Sequence, residues 1–374
     1  MTRTLVVTND FPPRPGGIQA FVQGLVERLP ADDVLVYASS WKGASEYDAA
    51  QPFQVIRDRT SMLLPTPRVA RVLADLVRSE RIDAVWFGAA APLGLLAPTL
   101  RAAGAQRLVA TTHGHEIGWG ALPVARSLLR RIGREVDVLT YLGEYTRSRL
   151  ARALGPQVRL ERLAPGVDSS VFAPNPAARV AVRARLGLGD RPVVVCVSRL
   201  VPRKGQDVLI QAMPAIAAAV PGAALLLVGG GPHRPDLERL VERLGLREDV
   251  VITGSQPWAE LPGFYAAGDV FAMPCRTRHA GLDVEGLGIV YLEASATRLP
   301  VVAGDSGGAP DAVRVGETGL VVDGRSVGAV ADAVVSYLGD PSRAAQVGVA
   351  GRAWVEQEWS WEGSAHRLAE LLGH

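Results

Sequence analysis

Cysteine, lysine and long apolar runs are all scarce in this chain of 374 residues. Its two cysteines, Cys196 and Cys275, both lie in apolar segments, so we expect buried core residues in a reducing compartment and no disulfide. No apolar run is long enough to span a bilayer, and we expect no signal peptide before Leu5. The fingerprint Gly-x-Gly-x-x-Gly is missing as well, which argues against an obvious NAD site.

The overall composition is that of a large globular protein. Hydrophobic residues make up 48% and charged residues 21%, and the length suits two domains. The formal net charge of only +2 argues against a dedicated nucleic-acid binder. Its distribution is uneven, because residues 1–170 carry 21 Lys and Arg against 16 Asp and Glu, whereas the remainder carries 19 against 22. This asymmetry predicts that the first half faces an anionic partner.

Apolar segments alternate with helix-like segments through both halves of the chain. The predicted strands are 4–8, 34–38, 84–87, 108–112, 136–141, 192–197, 223–228, 250–253, 270–273 and 301–303. The predicted helices are 18–29, 68–81, 123–134, 206–219 and 232–244, with only helices after Ser326. Such alternation is typical of parallel sheets, which bind ligands beyond the carboxyl ends of their strands. A stretch rich in Pro, Gly and Ser, residues 164–176, predicts an interdomain linker between two such series.

A glycine pair closes the loop between the first predicted strand and the first predicted helix. Gly16 and Gly17 end the loop Asn9–Gly17, a layout that lets a phosphate approach the backbone at a helix start. Glycines also form ordinary tight turns, and that alternative stays open.

A second loop, Ser198–Gly205, carries three basic residues to the opening of a helix. Arg199, Arg203 and Lys204 add charge to the free N–H groups of that helix, which together suit a diphosphate. The chain has two lysines against 38 arginines, so a lysine here indicates a need for a compact, movable ammonium group. A solvated basic turn is the alternative.

Two carboxylates eight residues apart, Glu285 and Glu293, stand on either side of a glycine-rich turn. We expect a helix to begin at about Gly286, which places Glu293 a little over two turns below Glu285. The first helical turn suits an anion, and the two carboxylates would then grip the hydroxyl groups of one ligand. The alternative is an acidic cap on an ordinary helix, with Glu293 solvated.

Two histidines, His113 and His115, follow a predicted strand end. A zinc site would need Glu116 as a third ligand and has no remote Cys or His cluster to complete it. A histidine that hydrogen-bonds loop backbone is the structural alternative. We prefer a ligand-facing His113 because it lies at the edge where parallel sheets bind ligands.

Together, these motifs resemble those of family 4 retaining glycosyltransferases with the GT-B fold. The resemblance rests on the Gly-Gly loop, Pro-Gly-Val-Asp in the linker, Ser-Arg-Leu with Lys-Gly, and Glu-x7-Glu, and it covers essentially the whole chain. It implies an α/β protein of two Rossmann-like domains whose parallel sheets face each other across a cleft. The implied parts are an acceptor-side domain at 1–170, a nucleotide-sugar domain at 171–355 and a C-terminal helix at 356–374 that returns to the first domain.

The resemblance also assigns a role to each candidate residue. Arg199 and Lys204 would bind the donor diphosphate, Glu285 the hydroxyls of the transferred sugar, and Glu293 the ribose. His113 would contact the sugar near the reacting carbon. The other implied nucleotide-binding positions are Gly16, Gly17, Ile252, Thr253, Ser255, Gly286, Leu287, Gly288 and Ile289. No cofactor or metal is expected, since the chain has no Asp-x-Asp motif and the cationic pair with a helix dipole would replace the metal.

Longer strings narrow the resemblance. These strings are Thr-Asn-Asp-Phe-Pro-Pro-Arg, Thr-His-Gly-His-Glu, and Arg-Thr-Arg with Gly-Leu-Asp-Val-Glu-Gly-Leu-Gly, and they are similar to those of mannosyltransferases that use GDP-mannose. This implies a GDP-mannose donor, a phosphatidylinositol mannoside acceptor with an alpha-1,6 linkage, and a cytoplasmic location on the inner face of the cell membrane. The alternatives are another GT-B enzyme with a different lipid or a soluble acceptor, and a non-catalytic sugar-nucleotide sensor. Glycoside hydrolysis by the two carboxylates is disfavoured by the phosphate loops. The oligomeric state stays open.

One predicted helix, residues 123–134, has an apolar face and a basic face. The apolar face holds Leu128, Leu129 and Ile132; the basic face holds Arg126, Arg130 and Arg134; and Trp119 precedes them. This pattern predicts either an interfacial helix on an anionic membrane or a core helix with a solvated face.

Overall fold

In the computed structural model, the described residues are 2–114, 116 and 122–374. They form two compact units. The first comprises the chain up to Gly166 together with Trp361–His374, and the second comprises Val167–Ser360. Each unit holds one parallel sheet with helices packed on it, so the expected pair of parallel-sheet α/β domains is confirmed.

The first unit contains a seven-stranded sheet with the order β3-β2-β1-β4-β5-β6-β7. Its strands are β1 Thr4–Thr8, β2 Val34–Ala38, β3 Gln54–Arg57, β4 Ala84–Phe87, β5 Arg107–Thr111, β6 Val138–Tyr141 and β7 Leu160–Arg162. Its helices are α1 Gly17–Val26, α2 Ala44–Ala49, α3 Pro67–Ser79, α4 Ala97–Ala103, α5 Pro123–Glu135 and α6 Glu144–Leu154. The strand order reverses between β1 and β4, and the carboxyl edge at such a switch point is where ligands bind in sheets of this kind.

The second unit contains a six-stranded sheet with the order β10-β9-β8-β11-β12-β13. Its strands are β8 Val193–Val197, β9 Ala224–Val228, β10 Val250–Ile252, β11 Val270–Met273, β12 Val301–Gly304 and β13 Gly319–Val322. Its helices are α7 Pro176–Arg185, α8 Gln206–Ala219, α9 Arg234–Arg243, α10 Leu261–Ala267, α11 Ile289–Ala296, α12 Val327–Leu338 and α13 Pro341–Glu358. The switch point lies between β8 and β11, and both strands end in loops that carry predicted site residues.

The last helix, α14 Trp361–Leu372, belongs to the first unit. Its Leu368 and Leu371 are buried in the same core as Val6 and Trp86 of the first sheet. Trp361 packs against Phe21 of α1, with ring centroids 6.4 Å apart. The apolar face of α14 thus completes one side of the first sheet.

Local sequence signals explain where several helices begin. Thr66 accepts a hydrogen bond from the backbone of Val69 and precedes Pro67 at the first position of α3. Asn175 caps α7 in the same way and also precedes a proline. A side-chain oxygen at the cap, followed by a proline at the first helical position, is the expected start signal.

Cys196 and Cys275 are buried free thiols, and burial raises the pKa of each to about 11. Within the described residues, no helix is both long and apolar enough to cross a membrane. The expectation that both cysteines are core residues is confirmed.

The helix after Glu285 begins later than expected. The sequence places its start at about Gly286, whereas α11 begins at Ile289 and is capped by Gly288 with φ 81°. Glu285 therefore lies in a loop and Glu293 in the second turn of α11, so they do not share one continuous helix. The strong turn tendency of two glycines delays the helix by about one turn.

Candidate active site

The carboxyl edge of the second sheet gathers most of the predicted site. The loop after β8 carries Arg199 and Lys204, the loop after β11 carries Glu285, and the loop after β12 supports Glu285 from behind. Because all strands run parallel, their carboxyl ends meet at the same edge. Segments far apart in the sequence are thereby brought together.

The closest charged contact in this cluster joins Lys204 to Glu285. The ammonium Nζ of Lys204 lies 2.7 Å from Oε2 of Glu285, and both side chains are about nine-tenths buried. The alternative of a solvated basic turn therefore does not hold for Lys204, which is buried. A short turn, Pro202–Lys204, folds the lysine inward just before α8 begins. Removing two charges from water is costly, and close pairing repays part of that cost.

Arg199 differs from Lys204 in its surroundings. It is exposed, and its guanidinium pairs with no other residue in the described part of the chain. Its backbone is held in place, since Gln206 at the start of α8 donates from Nε2 to the carbonyl of Arg199 and to the hydroxyl of Ser198. A fixed backbone with a free cationic group is well suited to meet an incoming anion.

Arg203 lies between the two acidic residues of the neighbouring loop. Its Nε is 3.8 Å from Oε2 of Glu285, and its Nη1 is 3.6 Å from Oδ1 of Asp283. Arg278 approaches the other oxygen of Asp283 at 3.8 Å. Three cations and two carboxylates therefore share this small region, and the excess positive charge favours an anionic ligand.

The loop that carries Glu285 is supported by the segment after β12. The backbone N–H of Glu285 donates to the hydroxyl of Ser306 at 3.3 Å, and Gly308 N–H donates to the carbonyl of Glu285 at 2.8 Å. Gly307 has φ 60°, and a Cβ there would lie 2.1 Å from the Glu285 carbonyl oxygen. Only glycine allows this approach, so Gly307 fixes how closely the two loops pack.

The turn between Glu285 and α11 presents backbone donors. Among the described residues, no acceptor receives the N–H groups of Gly286, Leu287 or Gly288. Ile289 follows as the first residue of α11. Successive unpaired N–H groups at a helix start are a favourable place for an anion or for sugar hydroxyls.

Within the part of the chain that the structure describes, no cation forms an ion pair with Glu293. Its Oε2 accepts a 2.6 Å hydrogen bond from the hydroxyl of Tyr265, which is itself fully buried. Removal from water raises the pKa of Glu293 to about 7, and the bond from Tyr265 opposes that rise. The carboxyl of the half-buried Glu293 therefore titrates near neutral pH.

The residues predicted to surround a base lie at the end of β10. Thr253 N–H donates to Leu227 of β9, and the carbonyl of Gly254 accepts from Gly229 N–H at 3.0 Å. Ile252 and Thr253 are half-buried, whereas Ser255 is exposed. The end of β10 is thereby held against the glycine-rich loop after β9.

Comparison with known proteins identifies the family. The model described as Glycosyltransferase Family 4 matches residues 15–171, and the model described as Glycosyl transferases group 1 matches residues 180–354. The GDP-mannose-dependent alpha-(1-6)-phosphatidylinositol monomannoside mannosyltransferase of Mycolicibacterium smegmatis is 58% identical, across 98% of this chain and 97% of the relative. The chain belongs to glycosyltransferase family 4. The enzyme of the same name from Mycobacterium tuberculosis is 55% identical to this glycosyltransferase, across 100% of this chain and 98% of the relative.

Solved structures agree on the fold. HepE of Anabaena in complex with UDP superposes on the glycosyltransferase with a TM-score of 0.82 at 22% identity, covering 99% of each chain. Sucrose-phosphate synthase of Thermosynechococcus elongatus gives a TM-score of 0.76 at 23% identity, covering 99% of this chain and 98% of the other. The expected GT-B fold is thus confirmed.

In the first unit of the glycosyltransferase, the glycine pair lies at the start of α1. Gly16 precedes the helix, and a Cβ there would meet the side-chain amide of Gln19. Gly17 has open space on that side. At the start of the same loop, the side-chain amide of Asn9 donates to the carbonyl of Leu63 and accepts from the N–H of Leu63. That tie makes Asn9 a loop anchor.

His113 hydrogen-bonds loop backbone, which is the structural alternative to a ligand-facing histidine. Its Nε2 lies 2.6 Å from the carbonyl oxygen of Gly88, and because a carbonyl only accepts, Nε2 must carry the proton. Phe21 packs edge-on to the imidazole with centroids 5.4 Å apart. Glu116 accepts hydrogen bonds from the backbone of His113 and Gly114, so its carboxylate has a structural role here. His115 and Trp119 lie outside the described residues.

The helix α5 has its apolar face in the core. Leu129 and Ile132 are fully buried there, so the idea that this face lies in a membrane is wrong. Arg130 and Arg134 are exposed on the opposite side. Hydrophobic periodicity alone cannot tell a membrane from a protein core as the partner of an amphipathic face.

Sequence reasoning missed the residues that act through another residue. These are Gln206, Tyr265, Ser306, Gly307 and Gly308, which hold Arg199, Glu293 and Glu285 in place. Gly307 and Gly308 lie just after β12, and a glycine pair at a strand end is a sequence signal that could have predicted a close approach of two loops there. Tyr265 carried no such signal, because its hydrogen bond to Glu293 joins residues 28 positions apart in the sequence.

Proposed function

We propose that this glycosyltransferase moves mannose from GDP-mannose to a phosphatidylinositol mannoside, with retention of the anomeric configuration and an alpha-1,6 linkage. The observation that carries the proposal is the contact between Lys204 and Glu285 beside the unpaired Arg199. This contact brings together a cation that can bind a diphosphate and a carboxylate that can bind sugar hydroxyls. A sugar nucleotide needs both where its phosphate meets its sugar. The names of near full-length relatives support the choice of donor and acceptor.

The reaction needs stabilisation of the departing diphosphate. The bond between C1 of mannose and the phosphate oxygen breaks, while a bond forms between C1 and the acceptor hydroxyl oxygen. Arg199 and Lys204 stabilise the negative charge that develops on the phosphate, with the N–H groups before α11. The hydroxyl proton passes to the leaving phosphate on the same face. No metal ligand set is present among the described residues, and the proposal uses none.

The other candidate residues position the donor. Glu285 accepts hydrogen bonds from mannose hydroxyls, and Glu293 accepts them from the ribose. Gly16 and Gly17 let the backbone approach the phosphates, and His113 contacts the sugar near C1. The turn Gly286–Ile289 and the residues Ile252, Thr253 and Ser255 bind the remaining parts of the nucleotide sugar.

The decisive experiment is a panel of sugar nucleotides tested with extracted lipids, with products identified by mass and linkage. We expect mannose transfer from GDP-mannose to phosphatidylinositol mannosides. Transfer from another donor, or to a soluble acceptor, would replace the proposal by the broader alternative of another GT-B enzyme. Binding without donor hydrolysis or transfer would leave only a sensor.

We also propose that the first unit docks on an anionic membrane as a peripheral protein. Arg130 and Arg134 are exposed on α5, and Leu122 and Val124 beside its start are 63% and 76% exposed. Each arginine near an anionic surface contributes on the order of 1 kcal/mol, and salt screens it. Basic residues with a few apolar ones at their edge form a typical peripheral contact.

The test replaces Arg126, Arg130 and Arg134 together by Gln. We expect vesicle binding at low salt to fall by roughly two orders of magnitude, with GDP binding retained. The matched control replaces three exposed arginines of the second unit, Arg239, Arg243 and Arg247, by Gln. If both triple variants lose vesicle binding equally, or if the variant in α5 loses none, the membrane contact lies elsewhere.

A further inference from the structure

The first residue of α9, Arg234, lies beside the loop predicted to surround the base. Its Nε donates to Oε1 of Glu238 at 2.7 Å, one turn further along the helix. A Cβ built on Gly254 would lie 2.9 Å from Nη1 of Arg234. The guanidinium therefore lies directly beside the backbone that follows β10, where Gly254 has φ 78°, a conformation that favours glycine.

The remaining donors of Arg234 are unused. Among the described residues, no acceptor receives a hydrogen bond from Nη1 or Nη2, and the side chain is 42% exposed. The hydrogen bond from Nε to Glu238 orients the guanidinium. Its two free terminal nitrogens are suited to bidentate contact with a planar acceptor.

The surroundings connect Arg234 with the donor cations. The glycine-rich loop after β9 leads into α9, and its Gly230 carbonyl accepts from the N–H of Leu200, the residue after Arg199. A Cβ on Gly230 would also meet the hydroxyl of Ser255 at 2.3 Å. One packed set of loops thus runs from the diphosphate cation Arg199 to Arg234 at the edge of β10.

We infer that Arg234 reads the guanine of the donor by donating to its O6 and N7 atoms. Guanine presents two adjacent acceptors on that edge, and an arginine fork matches them. Adenine offers a donor in place of O6, and uracil lacks the N7 acceptor, so both lose one or both bonds. This inference rests on the proposed function and supplies the base-reading side chain, a part that the sequence motifs leave unassigned.

The test uses a ligand that lacks one atom. Wild type, Arg234→Met and Arg239→Met are titrated calorimetrically with GDP, 7-deaza-GDP and ADP at fixed pH and salt. Arg239 is the matched control, because it lies on the same helix, is exposed and pairs with Asp236. We expect wild type to bind 7-deaza-GDP and ADP each about tenfold more weakly than GDP, a preference that the control keeps.

In Arg234→Met, we expect GDP and 7-deaza-GDP to bind equally, with circular dichroism unchanged. If wild type binds GDP and 7-deaza-GDP equally well, the inference is overturned, and this outcome does not depend on the folding of any variant. An Arg234→Met protein that still binds GDP more tightly than 7-deaza-GDP would overturn the inference as well. If wild type does not prefer GDP over ADP at all, the proposed donor itself fails, which is a separate outcome.

Discussion

Glu285 and Glu293 lie eight residues apart in the sequence, yet the fold gives them opposite surroundings. Glu285 lies within 2.7 Å of Lys204 and 3.8 Å of Arg203. Among the described residues, the hydroxyl of Tyr265 is the one side-chain donor to the Glu293 carboxylate, and burial raises the pKa of Glu293 to about 7. One carboxylate has cations beside it, whereas the pKa of the other lies near neutral pH.

The difference separates two tasks. Under the proposed function, Lys204 binds the phosphate, and the carboxylate paired with it would lie where the sugar meets the phosphate and would position the transferred group. A carboxylate that shares only a phenol hydrogen bond needs further donors to be stable as an anion, and two ribose hydroxyls would supply them. We therefore expect a change at Glu285 to lower the rate of sugar transfer and a change at Glu293 to lower the affinity for the nucleotide.

The largest effect is expected when one of the two cations Arg199 and Lys204 is removed. Arg199→Ala and Lys204→Ala should each reduce transfer by roughly 10²–10³, because a pre-placed charge at a developing anion is removed. Transfer rates with GDP-mannose provide the measurement. Activity within a few-fold of wild type in both variants would contradict the phosphate assignment.

The same two variants should differ in stability. Arg199 is exposed, so its loss leaves the free energy of unfolding nearly unchanged. Lys204→Ala leaves Glu285 buried beside only Arg203 and should cost about 3 kcal/mol. Denaturant unfolding of both proteins tests this, and Lys204→Met with Glu285→Gln is the control that should recover stability but not transfer.

The next effect concerns Glu285 itself. Glu285→Gln should lower transfer by about two orders of magnitude while GDP affinity changes little, since the sugar and not the nucleotide loses its acceptor. Single-turnover rates and GDP titration separate the two quantities. A large loss of GDP affinity with unchanged turnover would reverse the assignment.

Glu293→Ala should show the opposite pattern. We expect GDP affinity to fall by roughly tenfold to a hundredfold, because two charge-assisted hydrogen bonds to the ribose are lost. GDP and 2′-deoxy-GDP are compared by calorimetry. If the variant still distinguishes the two nucleotides as wild type does, Glu293 does not hold the ribose.

The smallest expected effect is a pH dependence of nucleoside binding. With a pKa of about 7, the ionised form of Glu293 is half populated at neutral pH, so guanosine should bind about tenfold more weakly at pH 6 than at pH 8. Guanosine is used because it has no phosphate that titrates in this range. The dependence should vanish in Glu293→Gln and move to higher pH in Tyr265→Phe, since the tyrosine hydrogen bond lowers the pKa.

The same pKa has a consequence for folding. Its value in the fold lies above the ordinary value of 4.5, so the protonated acid is the form that the fold favours. The stabilisation is fully present below about pH 4.5 and is lost as the pH rises through about 7. Denaturation midpoints of wild type and Glu293→Gln should therefore diverge most above pH 7.

Much of the fold could be predicted because its signals are local. The segments 4–8, 34–38, 84–87, 206–219 and 270–273 have the predicted bounds. The short edge strands β3, β7 and β13 were not predicted, since half-buried strands of three or four residues carry little periodicity. The start of α11 was misplaced because Gly288 adopts a turn conformation that residue type alone does not fix.

The sequence by itself determined the two alternating series, the basic loop at Arg199 and Lys204, and the pair Glu285 and Glu293. Each follows from neighbouring residues in chain order, and periodicity and loop chemistry are properties of neighbours. Only the tertiary structure decided that Lys204 is buried against Glu285, that Ser306 and Gly307 hold that loop, and that Tyr265 faces Glu293. Ion pairing, desolvation and close approach depend on distances through space, which are fixed when separate strands bring their ends to one edge.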